Sequence, residues 1–299
     1  MSGGIGLGHV TRDLAIAREL RRRLPDVGLT WLAGGEARDV LASEGEPLAP
    51  ECEGYSTLIG PLEAASGRFS LNLTSPAHLL KWRYLKELPG FFAGVRGNVA
   101  LFKTLTDRER FDLVVGDETY ELALAMARTP ELKKAPFALI LDFVGVVLST
   151  RGLGERAVAA LLNRGWRSLL TREPPVCDRI FFAGEEADVP ESCLSFLRRG
   201  SRKKARERLA FLGHVLPFDQ EALPSRDDLR ARVGCGPEPL IVCSMGGTAF
   251  GTALLELCSE AFPLLRKKRP SLRMILVCGP RLAPDTLSVR PGVEGLGFV

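Results

Sequence analysis

Two short stretches of the chain combine glycines with side chains that can do chemistry. The first is Gly3-Gly4-Ile5-Gly6-Leu7-Gly8-His9-Val10-Thr11-Arg12. Its glycines permit positive φ and let another group approach the backbone closely. The turn opens a helix, whose unpaired N–H groups and partial positive charge suit an anion or a polar ligand. His9 stands at the start of that helix, with an imidazole that titrates near pH ~6.5; its plainer alternative is a capping or packing residue. A dinucleotide fingerprint needs a third glycine, and counted from Gly4 and Gly6 that place is His9, so the fingerprint fails. The second stretch is Ser244-Met245-Gly246-Gly247-Thr248-Ala249-Phe250-Gly251-Thr252. Gly246 and Gly251 have Walker spacing, but the lysine place is Thr252 and Ala253 follows, which gives no support to a P-loop. Its amides and the hydroxyls of Ser244, Thr248 and Thr252 can hold a diphosphate, with an ordinary tight turn as the alternative.

The surrounding pattern supplies strands and helices to position both turns. Val10, Leu14, Ala17, Leu20 and Leu24 share one helical face, and Pro25 and Gly28 break the chain before a strand at Leu29–Ala33. Further strands are expected at Asp112–Gly116, Phe137–Leu141 and Arg179–Ala183, with helices over Glu121–Arg128 and Glu155–Leu170. This alternation predicts a parallel sheet covered by helices. Residues 217–225, starting Pro217-Phe218-Asp219, read as a linker between an N-terminal domain, 1–216, and a second unit, 226–299. In the second unit a helix is expected over Arg226–Val233, a strand at Leu240–Ser244, a helix over Thr252–Lys267 and a strand at Arg273–Cys278, with another strand starting near Gly297. Only Met1 and Ser2 precede the first turn, and 226–299 is about half of a typical ~150-residue domain. The expectation is therefore an α/β chain whose first strand and later C-terminal part lie outside this sequence.

Composition narrows the function classes. Hydrophobic residues make up 45% and charged residues 25%, the balance of a globular protein with sizeable cores. The longest apolar run, Phe137 to Leu148, is interrupted by Asp142 and falls short of the ~18–20 residues of a membrane span. Seven cysteines without a C-x-x-C pair, beside three histidines, argue against a zinc site and for a reduced, cytoplasmic protein. A net charge of +4 does not call for nucleic acid. Arg198–Arg208 carries seven basic residues and one acid and reads as a solvated helical face. Leu79–Leu105 mixes Lys81, Arg83, Lys86, Arg96 and Lys103 with Trp82, Tyr84, Phe91, Phe92 and Phe102. Such a mixture suits an anionic membrane surface, unless the rings pack beneath the sheet. Pro89 and Gly90 predict two short helices there rather than one.

With these residues in view, the chain resembles the GT-B glycosyltransferases. The likeness is strongest to the group holding the peptidoglycan-precursor N-acetylglucosaminyl transferases, the monogalactosyldiacylglycerol synthases and their archaeal relatives. The motif-like segments lie around Gly4–Leu20, Asp112–Glu121 and Leu240–Glu256. The resemblance implies two Rossmann-like domains facing a cleft, acceptor on the first and nucleotide-sugar donor, UDP-linked, on the second. It casts His9 as the base for the acceptor hydroxyl and Asp117 as the carboxylate that orients it. Gly6, Gly8, Thr11, Glu118 and Asp142 are then expected on the acceptor side; Ser244, Gly246, Gly247 and Thr248 at the donor diphosphate; Phe298 against the uracil. The acidic element by which the family grips the donor sugar would lie beyond Val299.

Sugar transfer fits the residue chemistry. It needs a base near an acceptor hydroxyl, a role worth about 10²–10⁴ in rate, and stabilisation of a diphosphate leaving group, which helix amides can give without a metal or cofactor. One direct displacement inverts the anomeric centre. The acceptor is expected to be a lipid, glycan or small molecule, with peripheral docking at the inner membrane face as one option. The rival readings are a nucleotide-sugar hydrolase with a similar G-x-G-H-x-x-R turn, a 2-epimerase, and a non-catalytic partner module of the same fold.

Overall fold

In the computed structural model of the protein the described residues are 1–3, 7–58, 88–146, 153–244, 252–279 and 282–297. The chain divides into two units, with the change at Pro217 and Phe218. The fold is α/β, and both sheets are parallel.

The first unit is a four-stranded sheet of β1 (Val114–Asp117), β2 (Phe137–Leu141), β3 (Arg179–Phe182) and β4 (Leu209–Phe211), paired in that order. Parallel neighbours need crossover connections, which α4 (Tyr120–Arg128), α5 (Leu153–Thr171) and α6 (Arg199–Glu207) supply in turn. Ahead of the sheet run α1 (Leu7–Arg23), α2 (Gly35–Ser43) and α3 (Leu88–Arg108). Every residue of β2 is buried, as the continuous run Phe-Ala-Leu-Ile-Leu requires of a strand covered on both faces. Phe137, Leu139 and Leu141 pack with Leu122 and Met126 of α4 and Trp166, Leu169 and Leu170 of α5 in one core. The second unit is a three-stranded sheet of β5 (Leu240–Ser244), β6 (Arg273–Val277) and β7 (Val293–Leu296), with α7 (Arg226–Arg232) ahead of it and α8 (Thr252–Lys268) crossing from β5 to β6. Leu255 and Phe262 of α8 close its core against Met274 and Leu276.

Two local expectations change. Leu29–Ala33 forms a single bridge, Trp31 to Leu48, instead of a strand. Its neighbours cannot extend a ladder: Pro47 accepts from Trp31 but has no N–H to give, and Ser2 N reaches Leu32 O only at 3.4 Å. The helix Leu88–Arg108 starts at the Pro89-Gly90 break, with Pro89 in its first turn, where a missing N–H costs nothing; the helix expected ahead of that break falls outside the described residues. The last strand spans Val293–Leu296 and ends before Gly297. Residues 79–87, including Lys81, Trp82, Arg83, Tyr84 and Lys86, lie outside the described residues; of the rest of that stretch, Phe102 is in the core and Phe92 is exposed.

Met1 ties the start of the chain to the sheet by backbone pairing with β1. Asp117 N donates to Met1 O at 3.0 Å, and the Met1 ammonium donates to Val115 O at 2.8 Å. Gly3 is the point of closest approach: a Cβ there would sit 2.9 Å from Asp117 O. Gly8, the second residue of α1, has open space around it. Gly3→Ala is therefore expected to destabilise the first unit by about 1–3 kcal/mol, whereas Gly8→Ala stays within about 0.5 kcal/mol of the parent. Urea denaturation of the two variants checks this, and equal midpoints would contradict it.

Candidate active site

Side chains from one helix and two adjacent strand ends meet at the C-terminal edge of the first sheet, the edge where parallel α/β sheets place ligands. Asp117 is the last residue of β1. Asp142 follows directly on β2, and the register Asp117↔Ile140 sets the two strand ends side by side. From α1 come His9, Arg12 and Asp13, spaced i, i+3 and i+4 and so carried on one face. The same helix buries Val10, Leu14 and Ala17, which fixes the orientation of the polar face.

His9 Nδ1 lies 3.1 Å from Asp117 Oδ2, and both side chains are buried. Arg12 Nη2 donates to both oxygens of Asp117 at 2.7 Å and stands 2.9 Å from His9 Nδ1. Nδ1 thus faces an acceptor and a donor together. The carboxylate is the charge-assisted partner, which favours a proton on Nδ1 and a lone pair on Nε2. On its far edge, Nε2 faces Glu118 Oε2 at 3.7 Å and Asp142 Oδ2 at 3.8 Å. Glu118 is turned into this position by a left-handed backbone, φ 50°, a conformation that costs a non-glycine residue about 1 kcal/mol or more. Its other oxygen, Oε1, accepts from the Tyr120 hydroxyl at 3.0 Å. Tyr120 packs edge-on against Trp166 at 4.9 Å between ring centres, and Phe143, beside Asp142, packs on Trp166 at 5.4 Å.

Electrostatics divide the carboxyls into two kinds. Burial works against charge on His9, yet the hydrogen bond and charge of Asp117, with Glu118 and Asp142 behind them, hold its pKa above the usual imidazole value. Burial also opposes charge on Asp117, but His9 and Arg12 overcome it and keep that carboxyl below its ordinary range. Glu118 goes the other way, pushed up to about 8 by burial and by its hydrogen bond with Asp142. Asp13 is likewise pushed up to about 8 by burial and by the charge of Asp117, and its Oδ2 has no hydrogen-bond partner among the described residues. Near neutral pH the cluster therefore favours Asp117 as the carboxylate and Asp13 and Glu118 as protonated carboxyls.

His9, Glu118 and Asp142 also present ligand atoms within 4.8 Å of one another, the one such group with metal-binding spacing among the described residues. Arg12 Nη1 is 3.7 Å from the same Asp142 oxygen. A fixed guanidinium beside the carboxylate, and a proton on Glu118, both oppose a cation there.

Of the residues singled out in the sequence, His9, Asp117, Glu118 and Asp142 come together. Thr11 lies half-buried on α1, and Gly8 is exposed. Gly6, Gly246, Gly247, Thr248 and Phe298 lie outside the described residues; Ser244 is the exposed last residue of β5. Arg12 and Asp13 were not singled out. Their signal was spacing: each stands a single helical turn from His9.

The raised carboxyl of Asp13 fixes a direction for stability. Between pH about 4 and about 8 the unfolded chain releases this proton while the fold retains it, so the parent loses stability as pH rises. Asp13→Asn imitates the protonated form and avoids that loss. Its melting temperature should match the parent near pH 4 and exceed it increasingly up to pH about 8; a gap independent of pH would contradict the assignment.

No protein-family profile matches the sequence, and no curated protein matches it. Solved structures similar to the chain include CalG4, the calicheamicin glycosyltransferase, at 16% identity and a TM-score of 0.48, covering 97% of this chain and 67% of that one. The S. aureus protein MnaA, solved with UDP, has 11% identity and a TM-score of 0.40, covering 69% of this chain and 52% of that one. Medicago truncatula UGT71G1, solved with UDP-glucose, has 14% identity and a TM-score of 0.48, covering 98% of this chain and 70% of that one.

Proposed function

We propose that the protein is a GT-B glycosyltransferase that moves a sugar from a nucleotide donor, UDP-linked, to an acceptor hydroxyl with inversion. The observation that carries this reading is the buried His9–Asp117 pair at the C-terminal edge of a parallel sheet, with Nε2 directed toward two further carboxyl groups. The glycine-turn resemblance around His9 and the second glycine stretch at 244–252 support it from the sequence side.

In this mechanism Asp117 accepts a hydrogen bond from Nδ1–H and sets the ring orientation. The acceptor hydroxyl donates to Nε2, with Glu118 and Asp142 beside it as further hydrogen-bonding groups. As the acceptor oxygen forms its bond to the anomeric carbon, the bond from that carbon to the diphosphate breaks. The hydroxyl proton moves to His9, and the electron pair leaves with the nucleotide diphosphate. Asp117 stabilises the imidazolium so formed. The leaving-group charge falls to the amides and hydroxyls of Ser244, Gly246, Gly247 and Thr248, without a metal. Arg12 beside Asp142 supports the metal-independent form of the reaction.

Incubating the protein with UDP-sugars and candidate acceptors and weighing the products by mass spectrometry tests the reaction class. Glycosylated product supports transfer; free sugar indicates a hydrolase; an epimer or no turnover overturns the reading. His9→Ala should lower kcat by about 10²–10⁴ with UDP affinity nearly intact by calorimetry, and activity should survive EDTA. Asp117→Asn should be impaired without adding to His9→Ala, as residues acting as a unit are. More than a tenth of the parental rate in His9→Ala would end the base assignment.

The acceptor reading includes an anionic membrane surface at 79–105. No helix among the described residues is long and apolar enough to cross a membrane, so any contact of these helices is peripheral. Vesicle co-sedimentation should require anionic lipid, weaken with salt and fall when Lys81, Arg83 and Lys86 become Glu. Equal binding to neutral vesicles, or none to either, favours a soluble acceptor.

A further inference from the structure

Arg12 touches both His9 and Asp117, yet the reaction gives it no chemical step. It follows His9 by three residues on α1, so the two side chains leave the helix on one face. Its Nη2 reaches both oxygens of Asp117 at 2.7 Å and approaches His9 Nδ1 to 2.9 Å, while Nη1 lies 3.7 Å from Asp142 Oδ2. The guanidinium is thus held against the carboxylate and the ring nitrogen that together define the state of His9.

We propose that Arg12 is a positioning residue for His9: locked on Asp117 beside Nδ1, its fixed charge opposes the pull of the surrounding carboxylates toward the imidazolium and so favours a bare Nε2 that can accept a proton. This deepens the assignment of His9 as a base, and its catalytic meaning rests on that assignment.

The need for such a residue follows from the charges around the ring. Asp117 and Glu118 face His9 from the end of β1, Asp142 from the end of β2 and Arg12 from its own helix. Asp13 and the Met1 ammonium stand behind Asp117. Every carboxylate in that set favours the imidazolium, and an imidazolium cannot take a proton from a hydroxyl. Asp117 is the strongest of them, through contact and burial, yet it is also the group that orients the ring and cannot be dispensed with. A guanidinium on Asp117 resolves the conflict. It leaves the Nδ1 hydrogen bond in place, offsets the carboxylate charge, and adds a like charge within contact of any imidazolium. Because arginine stays protonated throughout the working pH range, the restraint does not itself titrate.

A merely structural ion pair between Arg12 and Asp117 would stabilise the fold without altering the titration of His9, so that titration is the discriminating readout. The protein has three histidines, His9, His78 and His214, and His9→Gln assigns the His9 signal in an NMR titration of the imidazole resonances. In Arg12→Met the pKa of His9 should rise by about 1 unit or more, while Arg12→Lys, which keeps the charge, should stay within about half a unit of the parent. Should Arg12→Met not fold, Arg12→Gln retains a donor to Asp117 and carries the same expectation. The acidic limb of the pH profile of kcat/KM should move with the NMR value. An unchanged or lowered His9 pKa in a folded Arg12→Met or Arg12→Gln protein overturns the proposal. A raised pKa with an unmoved acidic limb upholds Arg12's effect on the ring and removes His9 as the base.

Discussion

The buried carboxylate of Asp117 is the interaction on which the rest of the cluster depends. Taking a carboxylate out of water costs about several kcal/mol, and removing one partner of a buried pair costs about 3–5 kcal/mol. Asp117 can stay ionised only because two side chains from α1, His9 and Arg12, donate to it. Neither reaches the sheet unless Met1–Gly3 runs along β1, and that close approach excludes a side chain at position 3. Backbone pairing, a glycine and an ion pair therefore specify one arrangement.

The same carboxylate organises its acidic neighbours. With Asp117 charged and buried, Asp13 behind it is held as the neutral acid; with Asp142 beside it, so is Glu118. The Asp117 carboxylate then stands against Arg12 and a titrating imidazole, and it holds that ring above its usual pKa. An environment of this kind favours the protonated ring at the end of a proton transfer. The left-handed backbone of Glu118 directly follows β1, and Gly116, next to Asp117 within that strand, leaves no room for a Cβ, which would meet Thr119 Oγ1 at 2.0 Å. A strained residue beside the buried pair is what a site that places side chains by geometry would show.

Much of the fold was legible because its signals are local. The all-apolar run Phe137–Leu141 gave the central strand at its observed bounds, and the 3.6-residue stripe from Val10 to Leu24 gave α1. The short edge strand β4 carries no comparable run, since only its first residue is buried, and Leu29–Ala33 looks like a strand but lacks partners able to ladder with it. At the site, His9 was marked by its glycines, whereas Asp117 came from the likeness of a motif rather than from any spacing. Arg12 and Asp13 were hidden for a physical reason. By type they match Arg18 and Glu19 on the same helix, which pair at the surface with Glu44 and Arg22 respectively. What separates the two sets is a carboxylate more than a hundred residues away in sequence, brought near by the sheet.

The central claim is that Asp117 holds His9 with its proton on Nδ1 and its lone pair on Nε2. The most direct measurement is the tautomer itself, read from the ring-nitrogen chemical shifts of His9 by two-dimensional ¹H–¹⁵N NMR, above the pH at which the ring loses its charge. A protonated Nδ1 and a bare Nε2, lost in Asp117→Asn, is the result this account predicts. A protonated Nε2 with Nδ1 accepting from Arg12 would contradict it, for the ring would then present a donor where the reaction needs a base.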